Sequence, residues 1–135
     1  MYVPGKAGIL LFRARAIDAD KTKQHKAQLY KEVTFNEDGC FDKDTGIFTA
    51  PVEGAYVFSV RVESNEAEVQ VCSHFMIGDS VHTIIKGEYA GKLIAVLVQL
   101  KSNQKVWMKA LSPANKYDTT TYRNSFYCTL VQAQP

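Results

Sequence analysis

The segment of residues 35–58, FNEDGCFDKDTGIFTAPVEGAYVF, constrains the fold of this chain more strongly than any other part. Glycine adopts positive φ at low cost, and proline fixes φ and lacks the N–H that a β-ladder needs. Three turn signals of this kind divide the segment: Asp38-Gly39, Thr45-Gly46 and Pro51-x-x-Gly54. Aromatic residues, which suit a half-buried pleated surface, lie between them: Phe41, Phe48, Tyr56 and Phe58. The segment therefore predicts short β-strands joined by tight corners.

Apolar and polar residues alternate along most of the remaining chain, and no segment shows a helical period. Residues 18–28 are polar and rich in lysine, which indicates a loop. The other predicted strands are residues 10–15, 29–35, 55–62, 68–77, 81–86, 93–100, 105–111 and 121–131. About eight to ten short strands with regularly spaced turns are typical of an antiparallel β-sandwich or barrel.

Size and charge limit the classes of function. At 135 residues the chain suits one domain, which buries about two-thirds of its unfolded surface. A net charge of +2 does not indicate affinity for bulk polyanions. We interpret the one basic cluster as a solvated loop: Lys21, Lys23, His25 and Lys26. No stretch approaches the roughly 18 apolar residues that span a bilayer. The sequence predicts no nucleic-acid partner and no membrane span.

Catalytic and metal-binding motifs are missing from the sequence. There is no Gly-x-Ser-x-Gly elbow, His-Glu-x-x-His motif or P-loop. The histidines lie in separate segments without ligand spacing: His25, His74 and His82. The run from Asp42 to Gly46 lacks the glycine and glutamate spacing of an EF-hand and reads as a turn. We predict no catalytic residues, no metal ligands and no enzymatic activity.

The three cysteines are too few and too widely spaced for a disulfide framework: Cys40, Cys72 and Cys128. Cys72 lies on the side of its predicted strand opposite to the apolar face, whereas Cys128 lies on the apolar face of its own strand. Side chains on opposite faces do not reach the short Cβ separation of a bridge, so we expect free thiols.

The turn and aromatic residues also resemble the signature of the C1q globular-head domain family. The signature residues are Phe35, Asn36, Gly39, Phe41, Asp42, Gly46, Phe48, Pro51, Gly54, Tyr56, Phe58 and Phe126. Phe41 replaces the usual tyrosine, Asn103-Gln104 replaces a Gly-Asp pair before Val106-Trp107, and Cys128 occupies a glycine position. The resemblance spans residues 9–132.

This resemblance implies the ten-strand antiparallel jelly roll that the family shares with the tumour necrosis factor ligands. We expect residues 1–8 to form a tail and residues 9–135 a single C1q-like globular domain. The resemblance also implies a secreted homotrimer, although no leader is visible at the start of this chain. Some relatives bind Ca²⁺ between loops or near the three-fold axis, which leaves a calcium site across subunits open.

The run Leu93-Ile94-Ala95-Val96-Leu97-Val98 is apolar on both faces of its strand. One face of an antiparallel sandwich is normally wet, so something must cover the second apolar face. A loop of the same chain is one alternative, and a subunit interface is the favoured one. The candidate interface residues are Ile94, Val96 and Val98.

The long connection of residues 111–123 is the candidate ligand surface. Its side chains combine stacking area with adaptable hydrogen bonds, which suits sugars and peptides, and its cations suit acidic groups. Long loops on a rigid sandwich often carry function, although an ordinary polar loop is the alternative. The candidate residues, with one from a neighbouring connection, are Asn115, Lys116, Tyr117, Asp118, Tyr122, Arg123 and Tyr89.

These observations predict a lectin-like pattern-recognition protein of innate immunity that trimerises and binds microbial glycans or anionic surface ligands. The alternative is a cytokine-like trimeric ligand for a protein receptor. A glycan-processing enzyme is disfavoured, because it needs paired carboxylates facing a cleft, and Asp42 and Asp44 lie in a turn.

Overall fold

The computed structural model describes residues 7–120 and 123–134. The strands in this part are β1 Ala7–Ile17, β2 Tyr30–Asn36, β3 Phe41–Asp42, β4 Ile47–Thr49, β5 Gly54–Arg61, β6 Val71–Ile77, β7 Ser80–Gly87, β8 Leu93–Leu100, β9 Lys105–Ala110 and β10 Ser125–Ala133. Two single-turn 3-10 segments accompany them, Glu37–Gly39 and Ala114–Lys116. Because β1 begins at Ala7 and residues 1–6 lie outside the described part, the division at residue 8 remains a prediction.

The strands form two five-stranded sheets. One has the order β2-β1-β10-β5-β8 and is called the β1 sheet, and the other has the order β3-β4-β9-β6-β7 and is called the β9 sheet. All strand pairs are antiparallel, and the first and last strands are neighbours. The predicted antiparallel jelly-roll sandwich is confirmed.

Aromatic side chains from both sheets form the centre of the core. The ring centroid of Phe12 in β1 lies 4.5 Å from that of Phe41, 5.3 Å from that of Phe48 and 5.1 Å from that of Phe126. Phe58 extends the cluster, with its centroid 5.5 Å from Phe48 and 5.7 Å from Phe126. Offset and edge-on pairs of this kind add about 0.5–1.5 kcal/mol each beyond area burial. The cluster therefore fixes the two sheets against each other.

Two polar signature residues, Asn36 and Asp42, form hydrogen bonds in the connections on either side of β3. The side-chain amide of Asn36 donates to the carbonyl oxygen of Phe41 at 2.7 Å and accepts from its N–H at 3.0 Å. Gly46 has φ +72°, and a Cβ there would lie 2.5 Å from the carbonyl oxygen of Gln28. Asp42 accepts hydrogen bonds within the same turn, from Asp44 N through its carboxylate and from Gly46 N through its carbonyl. The prediction that the run from Asp42 to Gly46 forms a turn is confirmed.

Tyr56 locks the second corner. Its buried hydroxyl donates to the carbonyl oxygen of Val52 at 2.5 Å and accepts from the Val52 N–H at 3.3 Å. Gly54 packs so closely on β10 that a Cβ would overlap the carbonyl oxygen of Gln132. Most signature residues therefore build corners and core, whereas Phe35 is 41% exposed on the outer side of β2.

All three cysteines are free thiols in the structure, as expected. Cys128 is fully buried in the core, whereas Cys72 is half-buried on the opposite side of the β9 sheet. Burial raises the pKa of the Cys40 thiol to about 12 and raises that of Cys128 well above its ordinary value. Because the thiolate is the reactive form, neither residue is suited to nucleophilic chemistry in the folded protein.

We expect Tyr56→Phe to lower the free energy of unfolding by about 1–2 kcal/mol, because it removes both hydrogen bonds with Val52. Urea denaturation measures the change. Tyr127→Phe is the matched control, since the Tyr127 ring is half-buried on the outer side of β10. A Tyr56→Phe midpoint equal to that of the control would show that the corner does not depend on this hydroxyl.

Candidate functional site

The predicted interface residues of β8 lie on the core side of the strand. Val96 and Val98 are only 7% and 5% exposed, and Ile94 packs against the same core. Val96 is in register with Phe58 of β5, and directly opposed residues of antiparallel strands share a face. This prediction of the interface residues is corrected: their side chains close the core of their own protomer. Alternation showed two apolar faces but did not indicate which one pointed inward.

The outer face of β8 carries the exposed apolar residues. Leu93 is 58% and Leu97 is 67% exposed, and Ala95 between them is also exposed. The expectation of two apolar faces is therefore confirmed. The described residues leave this second face open, which contradicts cover by a loop of the same chain within that part.

The apolar surface continues across the β1 sheet. Leu97 is in register with Val57 of β5, which in turn is in register with Thr129 of β10. On the same outer side of the sheet, the guanidinium carbon of Arg13 in β1 lies 5.0 Å from the centroid of the Tyr127 ring in β10. We call this surface the apolar face. Its members are Leu10, Phe35, Val57, Leu93, Ala95, Leu97 and Tyr127.

Three connections meet at one end of the sandwich, and together they form what we call the loop end. Within the described part of the chain they are residues 62–70, 88–92, 111–120 and 123–124. The N–H of Asn65 donates to the carbonyl oxygen of Lys116 at 2.9 Å, and that of Ser64 donates to Glu88 at 3.3 Å. The connection of residues 62–70 therefore contacts both the predicted ligand loop and the connection that carries Tyr89.

A buried carboxylate organises the loop end. The side chain of Glu63 has no exposed surface, and its two oxygens lie 2.6 Å from Arg61 Nε and 3.0 Å from Arg123 Nη1. The hydrogen bond to Glu63, and next the charge of its carboxylate, raise the pKa of Arg123 above its ordinary value. The side-chain amide of Asn124 accepts from the Glu63 N–H at 3.0 Å and donates to the Asp118 carbonyl.

Sequence reasoning missed this cluster. No local sequence pattern links Glu63 with Arg123, which is 60 positions away. Arg123, a predicted ligand residue, is an ion-pair partner whose side chain is still 42% exposed. It can therefore hold the loop in place and also contact an anionic group.

Tyr117 is a buried anchor, and this corrects its prediction as a ligand residue. It is 1% exposed, and its hydroxyl donates to the carbonyl oxygen of Cys72 at 2.7 Å. The same hydroxyl lies 3.1 Å from Ser73 Oγ, and burial raises its pKa. The sequence of a long loop does not indicate whether an aromatic side chain in it is buried or faces solvent. Tyr122 lies outside the described residues.

The remaining predicted ligand residues are accessible. Asn115 is exposed, Lys116 and Asp118 are half-exposed, and Tyr89 is 51% exposed. Asp118 Oδ1 accepts from the N–H of Thr120 at 2.7 Å, which stiffens the loop.

Two open clefts flank Tyr89 and its neighbours. The larger has a volume of about 410 Å³ and is lined by Ala67, Glu68, Val69, Gln70, Glu88 and Tyr89. The smaller has a volume of about 270 Å³ and is lined by Lys86, Glu88, Ala90, Gly91, Lys92 and Ile94. Both offer carboxylates, and the smaller adds two lysines, so they suit polar or charged groups of a ligand.

Over residues 7–120 and 123–134, no three His, Cys, Asp or Glu side chains converge as a metal site. A calcium site shared between subunits remains a prediction. In the same part of the chain, no helix has the length and apolar character needed to cross a membrane.

Two antiparallel five-stranded sheets around an aromatic core place this chain in the class of jelly-roll β-sandwiches. A model of the C1q domain matches residues 12–129, which include both corners and most of the aromatic core. The chain belongs to the C1q domain family.

Relatives and solved structures agree with this family. The chain is 31% identical over 99 residues to mouse complement C1q tumor necrosis factor-related protein 6, covering 66% of this chain and 37% of the relative. It is 28% identical over 85 residues to the hibernation-associated plasma protein HP-20 of Tamias sibiricus, covering 61% and 43%. The chain thus spans less than half the length of these curated relatives.

The globular domain of zebrafish complement 1qA protein superposes with a TM-score of 0.68 at 15% identity, covering 96% of this chain and all of the other. Pika GITRL superposes with a TM-score of 0.58 at 12% identity, covering 77% and 90%. At these identities the two structures support the fold alone.

We expect Glu63→Gln to lower the free energy of unfolding by about 1–3 kcal/mol. This is less than the full cost of breaking a buried pair, because Arg61 and Arg123 are partly exposed. Urea denaturation compares this variant with Glu66→Gln, which makes the same charge change on an exposed residue of the same loop. Equal stability of the two variants would contradict the organising role of Glu63.

Proposed function

We propose that this protein is a secreted, homotrimeric binding module that recognises glycans or anionic groups on microbial surfaces. The observation that carries the proposal is the apolar face, where Leu93 and Leu97 are more than half exposed. Soluble monomers rarely leave a contiguous apolar surface of this kind open, and closed symmetry is the usual way to cover it. Membership of the C1q domain family supports a non-enzymatic binding role.

Assembly through the apolar face would allow three loop ends to bind one surface together. Three protomers around one axis carry three loop ends at the same end of the assembly, because all three connections lie at one end of each sandwich. Linked weak sites gain avidity without any new contact. A glycan surface repeats its groups, so a trimer of weak sites suits such a ligand.

The exposed residues of the loop end define the contact chemistry. Tyr89 offers an aromatic face for stacking on a sugar ring, and Asn115 offers a side-chain amide. Lys116 and Arg123 supply cations for acidic sugars or phosphate. The name of one relative, a plasma protein, supports an extracellular location, and a role in innate immunity follows from the proposed ligands.

A cytokine-like ligand for a protein receptor is the second candidate. The observation that favours it is the position of the smaller cleft, whose lining residues Lys92 and Ile94 flank Leu93 of the apolar face. In a trimer this cleft lies at a subunit boundary, where a receptor can contact two protomers. Saturable binding to host cells without binding to glycans would favour this candidate.

We expect the wild-type protein to have the mass of a trimer and Leu97→Asp to be a folded monomer, because the charge disrupts an interface and leaves the core intact. Val96→Asp is the matched comparison one residue away. It buries a carboxylate in the core, so we expect a loss of more than about 3 kcal/mol of stability. Light scattering after size exclusion, with calcium and with chelator, and circular dichroism make the measurement.

A monomeric wild-type protein would refute assembly, and a trimeric Leu97→Asp variant would refute this interface. Loss of the trimer in chelator would place calcium between subunits.

We expect Leu97→Asp to weaken binding to bacterial cells or immobilised glycans by about 10²-fold or more, because avidity is lost while each loop end is unchanged. Lys116→Ala in the trimer should weaken binding at each site. Surface plasmon resonance on glycan-coated chips measures both. If the monomeric variant bound with wild-type affinity, binding would not depend on assembly and the avidity argument would be wrong.

A further inference from the structure

Strand β9 presents a second functional surface, on the outer side of the β9 sheet. Lys105, Trp107 and Lys109 alternate with the buried Val106 and Met108, so all three point away from the core. The indole Nε1 of Trp107 donates to the carbonyl oxygen of Gly78 at 2.9 Å, which fixes the ring on the sheet. Two cations and a fixed aromatic face therefore lie along one strand.

Neighbouring strands add one histidine and one lysine to this surface. On β6, His74 is in register with Lys109, and on β7 the exposed Lys86 is in register with Cys72. The one acidic residue in the five strands of this sheet is the exposed Asp42 of the edge strand β3, and β3 is separated from β9 by β4. No described carboxylate lies within ion-pair distance of the three lysines, although Lys105 Nζ donates to Thr49 Oγ1 at 2.9 Å.

The loop before β2 extends this surface. Ala27 forms an isolated bridge with Lys109, and the N–H of His25 donates to the carbonyl oxygen of Ala110 at 2.6 Å. The exposed Lys23 and Lys26 are therefore held beside the C-terminal half of β9. Residues that are far apart in the sequence thus form one basic surface. We call it the basic face, and its members are Lys23, Lys26, His74, Lys86, Lys105, Trp107 and Lys109.

We propose that the basic face binds a linear acidic polysaccharide, one that carries sulfate or carboxylate groups along an extended chain. At about 3.3 Å per residue, the four-residue step from Lys105 to Lys109 separates their Cα atoms by about 13 Å. This spacing suits a chain with repeated anionic groups and exceeds the size of one small anion. Trp107 between them offers a ring face on which a sugar can stack.

The inference goes beyond the proposed function, since it assigns a sulfated or carboxylated polysaccharide to a surface other than the loop end. The basic face lies on the opposite side of the sandwich from the apolar face, because each is the outer side of its own sheet. Trimer assembly through the apolar face therefore leaves Lys105, Trp107 and Lys109 accessible on each protomer, whereas Lys86 also lines the smaller cleft at the subunit boundary.

An anionic membrane surface fits less well. The exposed apolar residues near the basic face, Val81 and Ile84, lie within strand β7 and not in a protruding loop that could insert into a bilayer. Nucleic acid also carries repeated anionic groups, so retention on DNA without retention on heparin would overturn the inference.

The test uses immobilised heparin as the sulfated polysaccharide, with neutral dextran as the uncharged probe. The variant Lys105→Gln/Lys109→Gln removes two charges from the basic face. The control Lys31→Gln/Lys101→Gln removes two charges from exposed residues of β2 and of the β8–β9 turn. Light scattering and thermal unfolding first show that both variants keep the wild-type assembly and fold.

We expect wild-type protein and the control to bind heparin and not dextran, and the basic-face variant to bind at least tenfold more weakly. A slope of log affinity against log salt that falls by about two per protomer would identify direct charge contacts.

Equal heparin affinity of the two double variants overturns the inference. Retention on anionic phospholipid vesicles without retention on heparin also overturns it, in favour of a membrane surface. Heparin binding that Lys116→Ala weakens and the basic-face variant does not would overturn the inference and leave the proposed function intact.

Discussion

The packing of aromatic rings between the two sheets is the interaction on which the rest of this structure depends. Phe12 and Phe126 from the β1 sheet interdigitate with Phe41 and Phe48 from the β9 sheet, and these rings are almost completely buried. Dense packing transmits small displacements, so the cluster sets the distance between the sheets and the direction in which each outer face points. Both the apolar face and the basic face are consequences of that arrangement, because alternation along each strand turns every second side chain outward.

The loops of this sandwich are held in place by interactions of their own. At the loop end these are polar interactions of the Glu63 carboxylate with two arginines, of the Asn124 amide and of the buried Tyr117 hydroxyl. A buried charge is tolerated only when it is paired and hydrogen-bonded, so these groups hold one arrangement of the connections. The side chains left exposed around them are thereby available for a ligand at little entropic cost.

The distribution of charge shows why whole-chain composition is a weak guide to the charge of a single surface. A net charge of +2 argued against polyanion binding, and the cluster at residues 21–26 read as a solvated loop. The fold places Lys23 and Lys26 beside Lys109 and keeps carboxylates off the outward positions of four strands. An electrostatic surface therefore arises from a nearly neutral chain through the segregation of charge.

The sequence by itself determined the antiparallel sandwich, the corners at Gly46 and Gly54 and the two-faced apolar strand β8. These properties follow from alternation and from local backbone preferences, which act over a few residues. Only the tertiary structure decided that Val96 faces inward and Leu97 outward, that Tyr117 is an anchor, and that Glu63 pairs with Arg123. Each of these depends on which distant segment lies opposite a residue, and strand register and sheet order, set by the packing of the whole core, determine that partner.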